Sequence, residues 1–294
     1  MCNRRFGSCV VIVLLCLAFP LGRVANAAQL DELANALSEG DEPQRVVARQ
    51  HLPAFGAEAI PALIPLVGQK KLAISKPARD VLMDIVNEVC TPGRDVERRK
   101  TCDLLIPMIA SDQPHATRIY GLRLLAMAVP DEFDLTPIAD LLTDVEYREN
   151  ARVALERIGT PLARRALRSA LRHADTEFTC ALLASLGSLG ESDSIAMISL
   201  LTCHKNARIR LAATHALAQI GDPRSEPKLI RVVGMASDRD RAAAANSLLV
   251  FAESVVKKHG DKAVARRIYR NVLESSAEEP LRKAALAGLR AVGD

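Results

Sequence analysis

One segment of constant length recurs along the chain, and this repeat restricts the possible fold more than any other feature. Four copies occupy residues 45–56, 148–159, 210–221 and 282–293, each running from an arginine to a glycine eleven positions later. Each copy carries alanine three positions after the arginine, leucine seven after it and an apolar residue ten after it. This spacing predicts a helix with a single apolar stripe.

Four weaker copies fill the gaps between the clear ones, so that eight copies cover residues 41–294. Their anchor positions hold Arg79, Arg118, Thr179 and Arg241. Each unit leaves room for a second apolar helix, and we predict these second helices at residues 60–67, 104–109, 137–142, 162–171, 195–201, 228–233 and 264–273. A helical hairpin of this size cannot bury its apolar face alone, so the units must stack into an all-α solenoid.

The repeat pattern carries a resemblance to a known family. The order Arg, Ala, Leu, Ile and Gly, followed by an apolar helix such as residues 59–64, resembles HEAT repeats and is similar in particular to the subtype named after phycobilisome lyases. The resemblance covers nearly all of residues 41–294. It implies a right-handed α-solenoid of about seven to eight HEAT-like hairpins whose second helices line the concave surface. Such repeats occur in scaffolds and in enzymes, so the fold does not decide the function.

Polar residues near each repeat start predict the helix ends. Asp41, Asp144, Asp175 and Asn206 each lie four residues before an anchor and are predicted N-caps. The glycine that closes each clear copy permits the left-handed conformation that ends a helix. Seven of the eight anchors are arginine, which predicts a structural role in bonding carbonyls or carboxylates between adjacent repeats.

The first 27 residues have the layout of a secretory signal. Arg4 and Arg5 precede an apolar run over residues 10–21, and small residues follow at 25–27. That run is too short to span a bilayer, which takes about 20 residues. We therefore predict cleavage before Ala28, an exported protein in the periplasm or the medium, a lead-in segment over 28–40 and the solenoid over 41–294. No integral membrane segment is expected after cleavage.

Export changes the interpretation of the cysteines. The mature chain keeps Cys90, Cys102, Cys180 and Cys203. An even set of thiols in an oxidising compartment favours disulfides. Cys90 and Cys102 flank one hairpin turn, while Cys180 and Cys203 lie at the same end of another hairpin. We predict the pairs Cys90–Cys102 and Cys180–Cys203.

A zinc site is the alternative interpretation of the second pair. His173, Cys180, Cys203 and His204 are predicted at one edge of the solenoid, and two thiolates with two imidazoles suit tetrahedral zinc. Their spacing matches no compact zinc module, so the disulfide is preferred.

Catalytic motifs are missing from the sequence. It contains no phosphate-binding loop, no nucleophile elbow and no His-Glu-x-x-His site. None of the six histidines is followed by glutamate, the pair that binds iron in the hydroxylase built from similar repeats. We predict no catalytic residue, no cofactor and no metal. The chain is then a non-enzymatic scaffold for a protein or peptide; the alternative, an accessory or maturation enzyme related to phycobilin lyases, depends on the resemblance alone.

Charge is divided unevenly along the mature chain. Residues 28–147 hold 12 basic and 19 acidic residues, whereas 148–294 hold 24 basic and 16 acidic ones. Basic residues on three predicted second helices recur three or four positions apart and form ridges. They are Arg164, Arg168 and Arg172; Arg224, Lys228 and Arg231; and Lys262, Arg266 and Arg270.

These ridges predict a binding face for an acidic protein segment, and a merely solvated surface is the alternative. The second helix at 195–201 has no basic residue and interrupts the track. Nucleic acid is excluded as a partner because the mature net charge is only +1 (36 basic against 35 acidic residues) and aromatic residues make up 3% of the chain. The oligomeric state is not predicted.

Overall fold

The computed structural model describes residues 27–276 and 278–293, and in that part of the chain it contains helices and turns but no strand. The predicted signal peptide lies outside the described residues except for Ala27. The α-helices are α1 (Ala27–Glu39), α2 (Glu42–His51), α3 (Ile60–Val67), α4 (Leu72–Val89), α5 (Asp95–Leu105), α6 (His115–Ala128), α7 (Thr136–Asp140), α8 (Arg148–Ile158), α9 (Pro161–Ala170), α10 (Thr176–Ser188), α11 (Ile195–Leu201), α12 (Ala207–Ile220), α13 (Glu226–Gly234), α14 (Asp238–His259), α15 (Lys262–Ser275) and α16 (Glu279–Val292). Short 3-10 segments span Leu52–Ala59, Ile106–Ile109, Leu141–Thr143, Ser192–Ser194 and Pro223–Ser225.

The helices form two layers of stacked hairpins, as predicted. Even-numbered helices from α2 to α16 are the first helices, and each contacts the next even-numbered helix along the chain. Odd-numbered helices from α3 to α15 are the second helices. Two of these, α3 and α11, have the predicted bounds. The all-α solenoid of seven to eight hairpins is therefore confirmed. The lead-in segment is itself a helix, α1, which packs against α2, α3 and α4.

The predicted apolar stripe forms the core between the layers. The third-position alanines and seventh-position leucines of the four clear copies are all buried, as the stripe requires: Ala48, Ala151, Ala213, Ala285, Leu52, Leu155, Leu217 and Leu289. At the tenth position, Ile220 and Val292 are buried, while Phe55 and Ile158 are partly buried. Small third-position side chains let consecutive first helices pack closely, which makes the stack continuous.

Three of the four predicted N-caps and two of the four closing glycines act as predicted. Asp41, Asp175 and Asn206 accept backbone N–H bonds at the starts of α2, α10 and α12. The prediction for Asp144 is wrong: its side chain accepts from the N–H of Glu146, and a turn over residues 145–147 separates it from α8, which begins at Arg148. Gly159 and Gly221 end α8 and α12 in the left-handed conformation, with φ of 61° and 69°. Gly56 and Gly293 do not: Gly56 lies inside a 3-10 segment with φ 57° and ψ -138°, and Gly293 has φ 79° and ψ 123°.

Most anchor arginines join neighbouring elements of the stack, which confirms their structural role. Arg79, Arg118 and Arg210 donate to carbonyls at the end of the preceding hairpin, namely those of Val67, Ile109 and His204. Arg282 does the same with the carbonyl of Leu273. These guanidinium groups satisfy carbonyls that have no partner inside their own helix.

The two longer units contain their extra residues in different parts of the hairpin. In the unit that contains α4 and α5, the extra residues form a turn at 90–94 between the two helices. In the unit that contains α14 and α15, they lengthen the first helix, because α14 runs for 22 residues to His259. Among the described residues, no helix has both the length and the hydrophobicity needed to cross a bilayer.

Candidate functional site

The first basic triplet is mostly engaged in a contact between repeats. Arg168 Nη1 donates to Glu191 Oε1 at 2.7 Å, and Arg164 Nη1 lies 3.7 Å from the other oxygen of that carboxylate. Glu191 belongs to the turn of the next hairpin, and its side chain is only 7% exposed. Arg172 lies in the turn beyond the end of α9, is exposed, and forms no side-chain hydrogen bond or ion pair with the other described residues.

The second triplet is also only partly available. Arg224 lies in the 3-10 segment before α13, not on that helix, because Asp222 caps this turn and binds its guanidinium with Nε–Oδ1 at 2.9 Å. The bond to Arg224 holds the pKa of Asp222 below its usual range. Lys228 Nζ lies 3.5 Å from Cys203 Sγ of the preceding hairpin. Arg231 is exposed and has no side-chain hydrogen bond or ion pair within the described chain.

In the third triplet, Arg266 donates to the carbonyl of Gly293 at 3.0 Å. Lys262 and Arg270 are exposed, and the described residues offer neither of them a side-chain hydrogen bond or ion pair. On the same helix, Arg267 forms a two-bond ion pair with Glu226 of α13, with distances of 2.9 and 2.6 Å. Sequence reasoning did not single out Arg267, because its partner lies 41 positions away along the chain.

The three triplets point toward different neighbours. Contacts from α9 and α15 reach the following hairpin, through Glu191 and Gly293, whereas Lys228 on α13 reaches the preceding hairpin. The three triplets therefore do not form one continuous track, and α11, which has no basic residue, lies between α9 and α13. Four of the nine predicted residues are exposed and unengaged within the described part of the chain: Arg172, Arg231, Lys262 and Arg270.

A groove of about 700 Å³ opens between the second helices α7 and α9. We call it the α7–α9 groove. Its lining, which also includes the starts of α8 and α10, consists of Asp134, Leu135, Thr136, Ala139, Asp140, Leu142, Thr143, Arg148, Leu162, Arg165, Ala166, Ser169, Ala170, His173, Ala174 and Phe178. The lining residues of α9 and the turn after it recur every three or four positions, so one complete face of this helix is presented.

The groove lies where a short second helix meets a longer one. Helix α7 has five residues and continues as the 3-10 segment Leu141–Thr143, while α9 beside it has ten residues. The anchor arginine of this unit also differs from most others. Arg148 does not donate to the preceding hairpin; its Nη1 binds Asp175 Oδ2 at 2.7 Å and its guanidinium lies over the ring of Phe178, 4.8 Å from the centroid.

The two sides of the groove differ in charge. Residues 124–147 contain six acidic residues and no Lys or Arg, whereas α9 contains three arginines and no acid. Asp134 and Asp140 form the α7 wall, and Arg165, Ser169 and His173 form the α9 wall. Hydrogen bonds from the Thr136 hydroxyl and N–H hold the pKa of Asp134 below its usual range. No ion pair joins these two walls in the described structure, so charged groups of both signs face the groove.

Sequence reasoning missed most of this groove. Arg165 does not belong to the predicted ridge, Asp134 and Asp140 were counted only in the overall charge, and His173 was considered only as a zinc ligand. The available signal was the charge reversal between residues 124–147 and α9, where a predicted second helix of six residues is followed by one of ten.

The four cysteines among the described residues are free thiols, so the predicted pairs Cys90–Cys102 and Cys180–Cys203 are not formed in this structure. Cys102 is buried, and burial raises the pKa of its thiol to about 12. Cys203 is exposed, and hydrogen bonds with Thr202 and Lys228 lower the pKa of its thiol. The two pairs thus contain thiols in very different surroundings.

The alternative zinc arrangement is not assembled either. Within the described residues, no group of three or more His, Cys, Asp or Glu side chains is placed to hold a metal ion. His204 has a local role instead, because its Nδ1 accepts the N–H of Asn206 at 3.1 Å.

The chain is similar to several solved structures at low sequence identity. An engineered protein from a structural genomics consortium matches with 18% identity and a TM-score of 0.41, covering 90% of this chain and 78% of its own. The complex of CpcE and CpcF of phycocyanin lyase from Nostoc sp. PCC7120 matches with 18% identity and a TM-score of 0.38, over 80% and 94% of the two chains. Kap121p matches with 15% identity and a TM-score of 0.46, and only 38% of its chain is covered, against 91% of this one. Likeness at this level says nothing about what the present chain binds.

Family comparison is more specific for part of the chain. No curated protein matches the sequence. Residues 165–249 match the family model described as HEAT repeats, a stretch that begins in α9 and ends in α14. The hairpins on both sides of it stack in the same manner. Residues 165–249 are therefore similar to HEAT repeats.

Proposed function

We propose that this protein is an exported, non-enzymatic HEAT-repeat scaffold that binds a protein or peptide along its second helices. The observation that carries the proposal is the charged and apolar surface of these helices, which includes the α7–α9 groove and the unengaged Arg172, Arg231 and Arg270. Side chains needed only for stacking would be engaged by neighbouring repeats, as Arg168 is by Glu191. We also propose that the repeats belong to the phycobilisome-lyase-like subtype.

Crosslinking tests this function directly. Residues 28–294 would be added to the exported fraction of the source organism, crosslinked, and the captured proteins identified together with the crosslinked positions. We expect crosslinks on α9, α13 and α15. A result in which crosslinks fall only on the even-numbered helices, or in which capture does not exceed that of an unrelated solenoid, would contradict the proposal.

The choice of charge-reversal variants follows from the contacts. Reversing Arg168 would place a carboxylate beside the buried Glu191 and disturb the fold, so it cannot report on binding alone. A triple change of Arg172, Arg231 and Arg270 to Glu alters exposed side chains that hold no other group. We expect this variant to bind an acidic partner more weakly than the wild type does. The difference in binding should be larger at low salt, where charge repulsion is less screened. Unchanged capture would remove these three residues from the binding face.

The maturation-enzyme alternative is tested separately. Purified protein would be mixed with a bilin and its absorption followed after separation from free pigment. We expect no bound pigment. Stable uptake of the bilin would favour the alternative over the scaffold.

A further inference from the structure

We propose that the α7–α9 groove is the docking site for one amphipathic segment of a partner protein, with an acidic residue facing the α9 wall and a basic residue facing the α7 wall. This inference depends on the proposed scaffold function and adds the place and the chemistry of recognition.

The floor of the groove calls for an apolar face on the partner. It is made by Leu135, Ala139 and Leu142 on one side and by Leu162 and Ala166 on the other. Leu162, on the helix α9 that also carries Arg165, is 44% exposed. Leu135 and Leu142 are only 4% and 5% exposed, so Leu162 is the exposed apolar side chain of this floor. An exposed apolar side chain bordered by charged groups in a groove suits contact with an apolar side chain of a partner.

The walls call for both signs of charge along the partner. Arg165, His173 and Asp140 are exposed, and no side-chain hydrogen bond or ion pair occupies any of them in the described structure. A partner with only acidic residues would be attracted by Arg165 and repelled by Asp134 and Asp140. Complementary potentials on both edges set the orientation of a docked segment.

The dimensions favour a chain segment over a small ion. Arg165 and His173 are eight positions apart, which corresponds to roughly 12 Å along a helix. One phosphate or carboxylate cannot reach both side chains, whereas a peptide lying parallel to α9 meets both. Helices that enter such grooves place apolar side chains at three- and four-residue spacing, and α9 presents its own lining residues at the same spacing.

A peptide selection tests the inference without a known partner. Residues 28–294 would be used to select from a phage-displayed library of random peptides about 12 residues long, a length that covers α9. We expect a family of sequences with helically spaced apolar residues, an acidic residue on one edge and a basic residue on the other. Failure to select any sequence family would overturn the proposal.

Two variants then locate the bound peptide. Ser169→Trp fills the exposed middle of the α9 wall, and Val153→Trp is its control on the exposed surface of α8 outside the groove. We expect only Ser169→Trp to abolish binding of the selected peptide, measured by fluorescence anisotropy. Equal binding to both variants would also overturn the proposal. Circular dichroism checks the fold, and if Ser169→Trp does not fold, the exposed-charge variants below carry the test.

Charge exchange provides the specificity test. Arg165→Glu should lower the affinity for the selected peptide about tenfold, because attraction between Arg165 and the acidic residue of the peptide is replaced by repulsion. Arg157→Glu makes the same change on exposed α8 and should leave binding unchanged. A peptide whose acidic residue is replaced by lysine should prefer Arg165→Glu over the wild type. Partner capture that survives in Ser169→Trp would disprove this groove but leave the scaffold function standing.

Discussion

Glu191 is the side chain whose replacement should best separate structural from binding arginines. Its carboxylate is 7% exposed and lies 2.7 Å from Arg168 Nη1 and 3.7 Å from Arg164 Nη1. Both arginines keep partial contact with water, at 25% and 36% exposure. These contacts of Glu191 join α9 to the next hairpin, so their loss should lower the free energy of unfolding of the stack.

The magnitude follows from the charge that is removed. Glu191→Gln keeps the size and one acceptor but replaces a charge-assisted hydrogen bond, worth about 1.5–3 kcal/mol, by a neutral one worth about 0.5–1.5 kcal/mol. We therefore expect a loss of about 1–2 kcal/mol. Because the arginines can regain water, the larger cost of leaving a fully buried charge unpaired does not apply.

A double-mutant cycle measures the interaction itself. Glu191→Gln, Arg168→Gln and the double variant would be unfolded in urea, with circular dichroism as the probe. We expect a coupling energy of about 1 kcal/mol or more. The control cycle uses Glu279 and Lys283, an exposed pair at 3.4 Å that should couple by no more than about 0.5 kcal/mol. If the two cycles give the same coupling, Arg168 does not have the structural role assigned to it.

Three further predictions concern the stability of the core, the reactivity of the thiols and the pH dependence of stability. Leu217→Ala should lower the free energy of unfolding by about 2–5 kcal/mol, because Leu217 is fully buried between packed helices, while Leu200→Ala at a 77% exposed position should cost no more than about 0.5 kcal/mol. Equal urea midpoints for the two would show that the stripe is not core. Iodoacetamide near neutral pH should modify Cys203, whose pKa is lowered by Thr202 and Lys228, before Cys102, whose pKa is raised to about 12, and Lys228→Met should slow the reaction of Cys203; mass spectrometry of the peptides reads the order, and faster labelling of Cys102 would contradict it. The hydrogen bond from the N–H of Phe178, and next the one from Arg148, hold the folded-state pKa of Asp175 below its usual range. The ionised carboxylate therefore stabilises the fold above the unfolded pKa of about 3.9, and this stabilisation is lost as pH falls through the lower folded-state pKa. Asp175→Asn should accordingly reduce the urea midpoint more near pH 6 than near pH 3, and an opposite trend would refute the assignment.

Short-range patterns in the sequence determined the fold. Apolar spacing within eleven residues predicted the first helices. Two of the four closing glycines and most of the capping side chains were predicted correctly, because each acts within four residues of itself. Asp144 shows the limit of this reasoning, since a turn over residues 145–147 lies between this residue and the start of α8. The stacking of hairpins also followed from sequence, because an amphipathic hairpin has no other way to bury its stripe.

Tertiary structure decided which charged residues are free to bind. A residue's spacing on a helix fixes its face, but the rotation of that helix against its neighbours decides what the face meets. Arg168 and Arg172 look equivalent in sequence, yet one meets Glu191, 23 positions away, and the other faces solvent. The α7–α9 groove likewise required the short α7 to lie beside the longer α9, a relation between two hairpins. The sequence by itself thus determined the repeat and its core through local contacts, whereas long-range packing determined the surface that remains available.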